Sequence, residues 1–191
     1  RGLVAAVQEV IDVGRATGQH AEIYHLKAAG RDNWHRLDAA IACVEAAQAS
    51  GVKIGANMYP YTSAATGLDA AMPPWVQDGG SDRWFARLAD PAHRARLLAE
   101  IAGPGDGWEN LYHAAGSAER VTLLGLTNPR LRRFNGLSLA RVAAQRGESP
   151  EQAIIELVLA DRSRVTAAFE LMAERNVSRQ LRLPWVSLCS D

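Results

Sequence analysis

The sequence predicts an α/β protein built on a parallel sheet, and three observations carry the prediction. Helical and extended runs alternate at both ends of the chain. Glycines fall where those runs should stop, at Gly18, Gly30 and Gly51. The first extended run, Glu22-Ile23-Tyr24-His25-Leu26-Lys27, delivers a histidine and then a lysine at its downstream end. In parallel α/β folds chemistry collects at the carboxyl ends of the strands, so His25 is the first candidate functional residue.

Taken in order, the first helix covers 3–17, where Leu3, Val7, Val10 and Ile11 recur at helical spacing before Gly18. A buried strand is predicted at 21–25. Ala28-Ala29-Gly30-Arg31 loosens into a loop, and a second helix covers 34–50. Its residues Leu37, Ala40, Ile41, Val44 and Ala47 share a face, and Asp32 or Asn33 stands where a cap belongs. A second strand at 52–58 runs into Tyr59-Pro60-Tyr61. Two strands joined through one helix should be parallel, with a right-handed crossover.

The rhythm then breaks. From Thr62 to about Pro104 the chain is rich in Gly, Pro and Trp, with Met72-Pro73-Pro74-Trp75 its most irregular stretch. Helices are predicted at 81–89 and 91–102, the second opened by a capping Asp90 and a first-turn Pro91. A strand follows at 120–126, then a basic loop with Arg130, Arg132 and Arg133. Helices at 138–146 and 150–160 come next, the latter opened by Ser149-Pro150-Glu151-Gln152, which fits a capping box. Strand 164–171, helix 174–182 and strand 185–190 close the chain. The middle section exceeds any ordinary connection. The expected organisation is therefore a barrel segment at 1–61, an inserted excursion at 62–148 and a second barrel segment at 149–191.

Bulk composition narrows the function classes. With 191 residues, 48% apolar and 22% charged, the chain has the make-up of a globular protein able to bury a core. Its 21 basic and 21 acidic side chains balance without a basic block, which argues against nucleic acid or an anionic membrane as partner. Cys43 and Cys189 are too few for a disulfide scaffold and lack zinc-finger spacing, so a cytoplasmic location is the default expectation. Arg1 opens directly into a helical pattern with no signal-peptide order, and Asp191 follows immediately on a strand-like run. Both ends read as cut, the mark of an internal piece of a longer polypeptide.

The string His25-Leu26-Lys27-Ala28-Ala29-Gly30-Arg31, followed by Tyr59-Pro60-Tyr61-Thr62 and Thr66-Gly67-Leu68, resembles the N-acyl-D-amino-acid deacylases (D-aminoacylases). Further matches are Ala70-Ala71-Met72-Pro73-Pro74-Trp75, Asn176-Val177, Pro184-Trp185-Val186 and Ser190-Asp191. The resemblance implies a metal-dependent amidohydrolase on a (β/α)₈ TIM barrel. The chain would supply a partial barrel: strands five at 21–25, six at 52–58, seven at 164–171 and eight at 185–190, with a long insertion. The family's His-x-His pair and its early-strand cysteine have no counterpart here, so the remaining metal ligands would lie upstream.

The resemblance also assigns roles. His25 would be a zinc ligand from the fifth strand, and Asp191 the catalytic carboxylate that moves a proton from metal-bound water to the leaving amine. The substrate would be a small N-acylated amino acid whose amide is hydrolysed by metal-bound hydroxide; this piece alone would be inactive. No other cofactor is implied. Lys27 would touch a substrate carboxylate or cover the barrel rim, and Tyr59 and Tyr61 would line the pocket mouth or pack the turn. One position departs from the family: histidine is absent from 52–58, and Asn57 stands where aspartate is common, so it brings no negative charge to a metal. That departure keeps one other reading open, a non-catalytic barrel used as a binding module; a further alternative is a cyclic-amide hydrolase of the dihydroorotase or hydantoinase kind, over which the Tyr-Pro-Tyr and Met-Pro-Pro-Trp strings favour the deacylases. Trp75, Trp84 and Trp108 are expected in a small core of the insertion or a lid, and Cys189 in the core. His20, His35, His93 and His113 show no ligand spacing.

Overall fold

A computed structural model describes residues 2–190. In chain order the elements are α1 (Leu3–Thr17), β1 (Ala21–Ile23), α2 (Leu37–Ala49), β2 (Ile54–Met58), β3 (Ser63–Gly67), α3 (Pro74–Gln77), α4 (Ser81–Ala89) and α5 (Pro91–Ala102). There follow α6 (Leu111–Ala115), β4 (Val121–Gly125), α7 (Leu139–Arg146), α8 (Pro150–Asp161), β5 (Thr166–Glu170), α9 (Glu174–Gln180) and β6 (Val186–Leu188). The chain divides into two compact units, one of residues 1–62 with 172–191 and one of 63–171.

The first unit is the predicted parallel α/β arrangement. Its sheet has the order β1-β2-β6 with every pair parallel: Ile23 stands opposite Ala56, and Asn57 opposite Ser187. Val7, Ile11, Ile23, Val44, Ile54 and Ala56 form its core. Burying each of the larger of these side chains contributes about 1.5–3 kcal/mol. Gly14 lets α1 lie close on the sheet, since a Cβ there would stand 3.1 Å from the Ala21 Cβ and 3.3 Å from Val52 Cγ1. α1 ends as its glycine predicts: Gly18 takes a left-handed φ of 66° and donates its N–H to the Gly14 carbonyl.

Two local expectations shift. Strand 21–25 ends at Ile23, and Tyr24 and His25 form a turn. Helix 34–50 starts as a 3-10 turn over Arg31–Arg36, and neither Asp32 nor Asn33 caps it; the Asn33 amide donates back to the Ala29 carbonyl at 2.9 Å instead.

The second unit carries its own sheet, β3-β5-β4, antiparallel throughout. This corrects the expected barrel segments. The run 164–171 forms β5, but it pairs with β3 and β4 and has no place in the parallel sheet. The run 185–190, expected as an eighth strand, forms β6 directly beside β2 and so takes the position next after it. The inserted unit accordingly extends to Leu171, beyond the expected boundary at 148. β3 went unforeseen because Ser-Ala-Ala-Thr-Gly has no large alternating apolar residues. It becomes a strand only by pairing Ser63 with Glu170 through Gly67 with Thr166.

The helices of this unit follow their local signals. Asp90 caps α5 by accepting from the Ala92 N–H at 2.9 Å, with Pro91 in the first turn. Ser149 and Gln152 complete the capping box of α8. That helix is buried on most sides, through Ala153, Ile154, Ile155, Leu157 and Val158, which is why α4, α5 and α7 all pack on it. The chain leaves the first unit after Thr62 and returns at Met172, where the Met172 N–H donates to the Thr62 carbonyl at 2.9 Å. Among the described residues no helix is long and apolar enough to cross a membrane.

Candidate functional site

Because β1, β2 and β6 are parallel, their carboxyl ends open on one side of the first unit's sheet. His25 follows β1 there, Tyr59 and Tyr61 follow β2, and Cys189 and Ser190 follow β6. The His25 ring meets the Tyr59 ring edge to face at 5.2 Å and stacks on Tyr24 at 3.8 Å. Tyr59 in turn stacks with Tyr61 at 6.2 Å, and the Lys27 ammonium sits 4.8 Å from the centre of the Tyr59 ring. Tyr59 is buried while Tyr61 is 61% exposed, so the cluster runs from core to solvent. Lys27, Tyr59 and Tyr61 also line a small cleft with Met172, Val177 and Gln180. Of the predicted site residues, four come together: His25, Lys27, Tyr59 and Tyr61. The fifth, Asp191, lies outside the described residues.

His25 reaches this position by an unusual backbone. Its φ is 55°, in the left-handed region that histidine tolerates better than most side chains. The His25 N–H donates to the Asn57 side-chain carbonyl at 2.8 Å, and the Leu26 N–H to the Asn57 main-chain carbonyl, also at 2.8 Å. The imidazole Nε2 is buried. Two buried amides support the segment after it. The Gln180 amide donates to the Leu26 carbonyl at 2.7 Å, and the Asn176 amide to the Trp34 carbonyl at 2.9 Å. Both extend from α9, which the sequence predicts only as a helix over 174–182. Only the pairing of Asn176 with Val177 in the family string pointed there.

One imidazole is a fit for zinc as a single ligand, but zinc sites take three or four protein ligands. Among the described residues no three His, Cys, Asp or Glu side chains gather into such a set. The fit is therefore partial, and the chain's described part offers one arm of a site. Asn57 is engaged with the His25 backbone, consistent with its lack of charge. Cys189 corrects an expectation: it is half-buried at the sheet mouth, its Sγ 3.4 Å from Asn57 Oδ1, and is not a core residue. His20 lies 3.2 Å from Glu22 and His93 3.7 Å from Asp90, as surface pairs.

The second unit has a separate cleft of about 470 Å³, lined by Pro73, Trp75, Arg96, Glu100, Gly105 and Trp108 among others. Trp75 donates to Glu100 at 2.8 Å and carries the Arg96 guanidinium 4.3 Å from its ring. Burial works to raise the Glu100 pKa, but the hydrogen bonds from Trp75 and Arg96 and the Arg96 charge hold it below the ordinary carboxylate range. Only Trp84 of the three tryptophans is a core residue, stacked on Phe85. Arg130, Arg132 and Arg133 are exposed.

No protein-family model matches the chain. It is 39% identical over 98 residues to the N-acyl-D-glutamate deacylase of Alcaligenes xylosoxydans xylosoxydans, a match over 51% of this chain and 20% of that protein. The chain thus spans about a fifth of the length of the curated relative it matches, at 20%. Among solved structures it is similar to an N-acyl-D-glutamate deacylase from Bordetella bronchiseptica, complexed with zinc and a phosphonate mimic of the tetrahedral intermediate. That likeness has a TM-score of 0.62 at 22% identity, covering 97% of this chain and 29% of the other. A D-aminoacylase described as defining a novel subset of amidohydrolases matches with a TM-score of 0.61 at 24% identity, over 99% of this chain and 29% of its own. A further D-aminoacylase structure, at TM-score 0.60 and 24% identity over the same shares, 99% and 29%, is described as having a binuclear metal centre. The resemblance read from the short strings is thus met in both sequence and fold.

Proposed function

We propose that the chain is one part of a TIM-barrel, metal-dependent deacylase that hydrolyses the amide bond of N-acyl-D-amino acids. The observation that supports this best is the His25 cluster: a buried imidazole nitrogen just past a parallel strand, beside Lys27, Tyr59 and Tyr61. The 39% identity to a D-glutamate deacylase supports the substrate class. His25 would hold zinc together with ligands from outside this chain's described residues. Zinc, when bound, lowers the pKa of a bound water to about 7 and so supplies a nucleophile at neutral pH. Asp191 takes the proton from the attacking water and returns it to the leaving amine. Lys27 offers a cation to the substrate carboxylate, its position set by the Tyr59 ring, and Tyr61 forms the exposed lip. Free Cys43 and Cys189 suit a reducing, cytoplasmic setting.

The test compares the 191-residue chain with the polypeptide encoded by its complete gene, each as wild type and as His25→Ala. The complete polypeptide is expected to retain zinc and to release amine from N-acetyl-D-glutamate in preference to the L-isomer. His25→Ala should lose zinc and lower activity by at least about 100-fold. The 191-residue chain alone should do neither. Undiminished zinc and turnover in the His25→Ala variant would overturn the reading. The uncharged Asn57 and the absence of histidine from 52–58 favour one second reading, a barrel that binds without catalysis. Zinc-free complete protein with no turnover but tight binding of N-acyl amino acids would select it.

A further inference from the structure

Where β1 and β2 part, the regular parallel ladder stops: its last partners are Ile23 and Ala56. Beyond them the His25 N–H has turned away from the strand direction, and the acceptor it meets is a side chain, Asn57 Oδ1, at 2.8 Å. The Asn57 main-chain carbonyl takes the next N–H, that of Leu26, also at 2.8 Å. One residue therefore holds two successive amides of the first strand's exit. The same Oδ1 lies 3.4 Å from Cys189 Sγ, and the Cys189 N–H donates to the Met58 carbonyl at 2.9 Å. The ends of all three parallel strands are tied at this point. A left-handed histidine persists only when its surroundings over-determine it, and its φ of 55° is set beside this clamp.

We infer that Asn57 is a positioning residue, whose side-chain carbonyl locks the left-handed turn that brings the His25 imidazole in against Tyr59. The departure from the family's usual aspartate leaves this contact intact, since the amide supplies the same acceptor oxygen to the His25 N–H. The backbone claim stands on the hydrogen bonds themselves, while its consequence for metal binding rests on the proposed deacylase reading.

The experiment uses the polypeptide of the complete gene with Asn57→Asp, which keeps an acceptor oxygen, Asn57→Leu, which has none, and Asn57→Gln, which moves the carbonyl out by one methylene. Exposed Lys53→Ala, just before the same strand, is the control. Hydrogen exchange at the His25 amide and zinc retained against a graded chelator are both read. Loss of this bond should speed exchange of the His25 amide about tenfold in Asn57→Leu and Asn57→Gln, and zinc affinity should fall about 10–100-fold. Asn57→Asp and Lys53→Ala should match wild type in both. Should Asn57→Leu fail to fold, Asn57→Gln carries the test. Unchanged exchange in a folded variant overturns the inference, as does faster exchange with zinc affinity unchanged. If exchange responds but wild type itself binds no zinc, the positioning role holds and the deacylase reading is what fails.

Discussion

Replacing Asp161 with alanine should unfasten the basic loop of the second unit. Asp161 ends α8 and is only 6% exposed. Its carboxylate accepts from the Thr127 N–H at 3.1 Å, the Thr127 hydroxyl at 2.9 Å and the Asn128 N–H at 2.7 Å, and from the Ser163 hydroxyl. Burial pushes its pKa up, but the bonds from Ser163, Asn128 and Thr127 outweigh burial and hold it below the ordinary range. Hydrogen bonds to a charged group contribute about 1.5–3 kcal/mol each. The two hydroxyls can turn to other acceptors and the amide of exposed Thr127 regains part of its bond from water, so the Asn128 amide and the remainder of the Thr127 bond set the loss. About 2–4 kcal/mol is expected for Asp161→Ala, and roughly half of that for Asp161→Asn, which keeps one acceptor oxygen. Urea unfolding of the 191-residue chain, followed by tryptophan fluorescence, reads this as a lower midpoint at unchanged slope. Since the folded pKa is depressed, the stabilisation is present above the unfolded value of about 4 and is lost as pH falls through the folded one. The gap between wild type and Asp161→Ala should therefore narrow below about pH 4. A loss under about 0.5 kcal/mol at pH 7, or a gap that stays constant down to pH 2, would refute the reasoning.

Gly67→Ala should break the Asp69–Arg164 pair, because its Cβ would lie 2.0 Å from Asp69 Oδ1 and 2.9 Å from Arg164 Nε. Asp69 is buried but Arg164 is 66% exposed, so solvent screens the 2.8 Å pair and about 1–2 kcal/mol should be lost, visible as a lower Tm; an unchanged Tm would contradict it. Tyr112 donates to Glu151 at 2.9 Å. Burial, that bond and the charges of Glu151 and Glu119 raise its pKa above the usual value of about 10. Its contribution is full below about pH 10 and is lost as pH rises through the folded value. Tyr112→Phe should cost about 0.5–1 kcal/mol at pH 7 and leave the absorbance rise of the folded protein near pH 10 unaltered; loss of part of that rise would count against the assignment.

Local chemistry made much of this molecule readable. Gly18, Asp90-Pro91 and Ser149 with Gln152 act within a few residues of themselves, so α1, α5 and α8 begin and end where their caps say. The site was half legible for the same reason. His25, Lys27, Tyr59 and Tyr61 stand in recognisable strings, whereas Gln180 carries no such mark and acts on a carbonyl 154 positions away.

The chain's own order of residues was enough to specify the longer helices, though not α3 or α6, together with the parallel pairing of β1 with β2 and the short list of chemical groups near its mouth. Apolar spacing, glycine stops and a one-helix crossover leave few alternatives. Tertiary pairing alone decided the rest. Ser63–Gly67 is a strand because β5 lies beside it, and β5 left the parallel sheet for the antiparallel one because that partner was available. His25 turns left-handed where an amide 32 residues downstream receives its N–H. Each of these depends on a hydrogen-bond acceptor brought near by folding, and a local pattern of residues carries no record of what will stand opposite it.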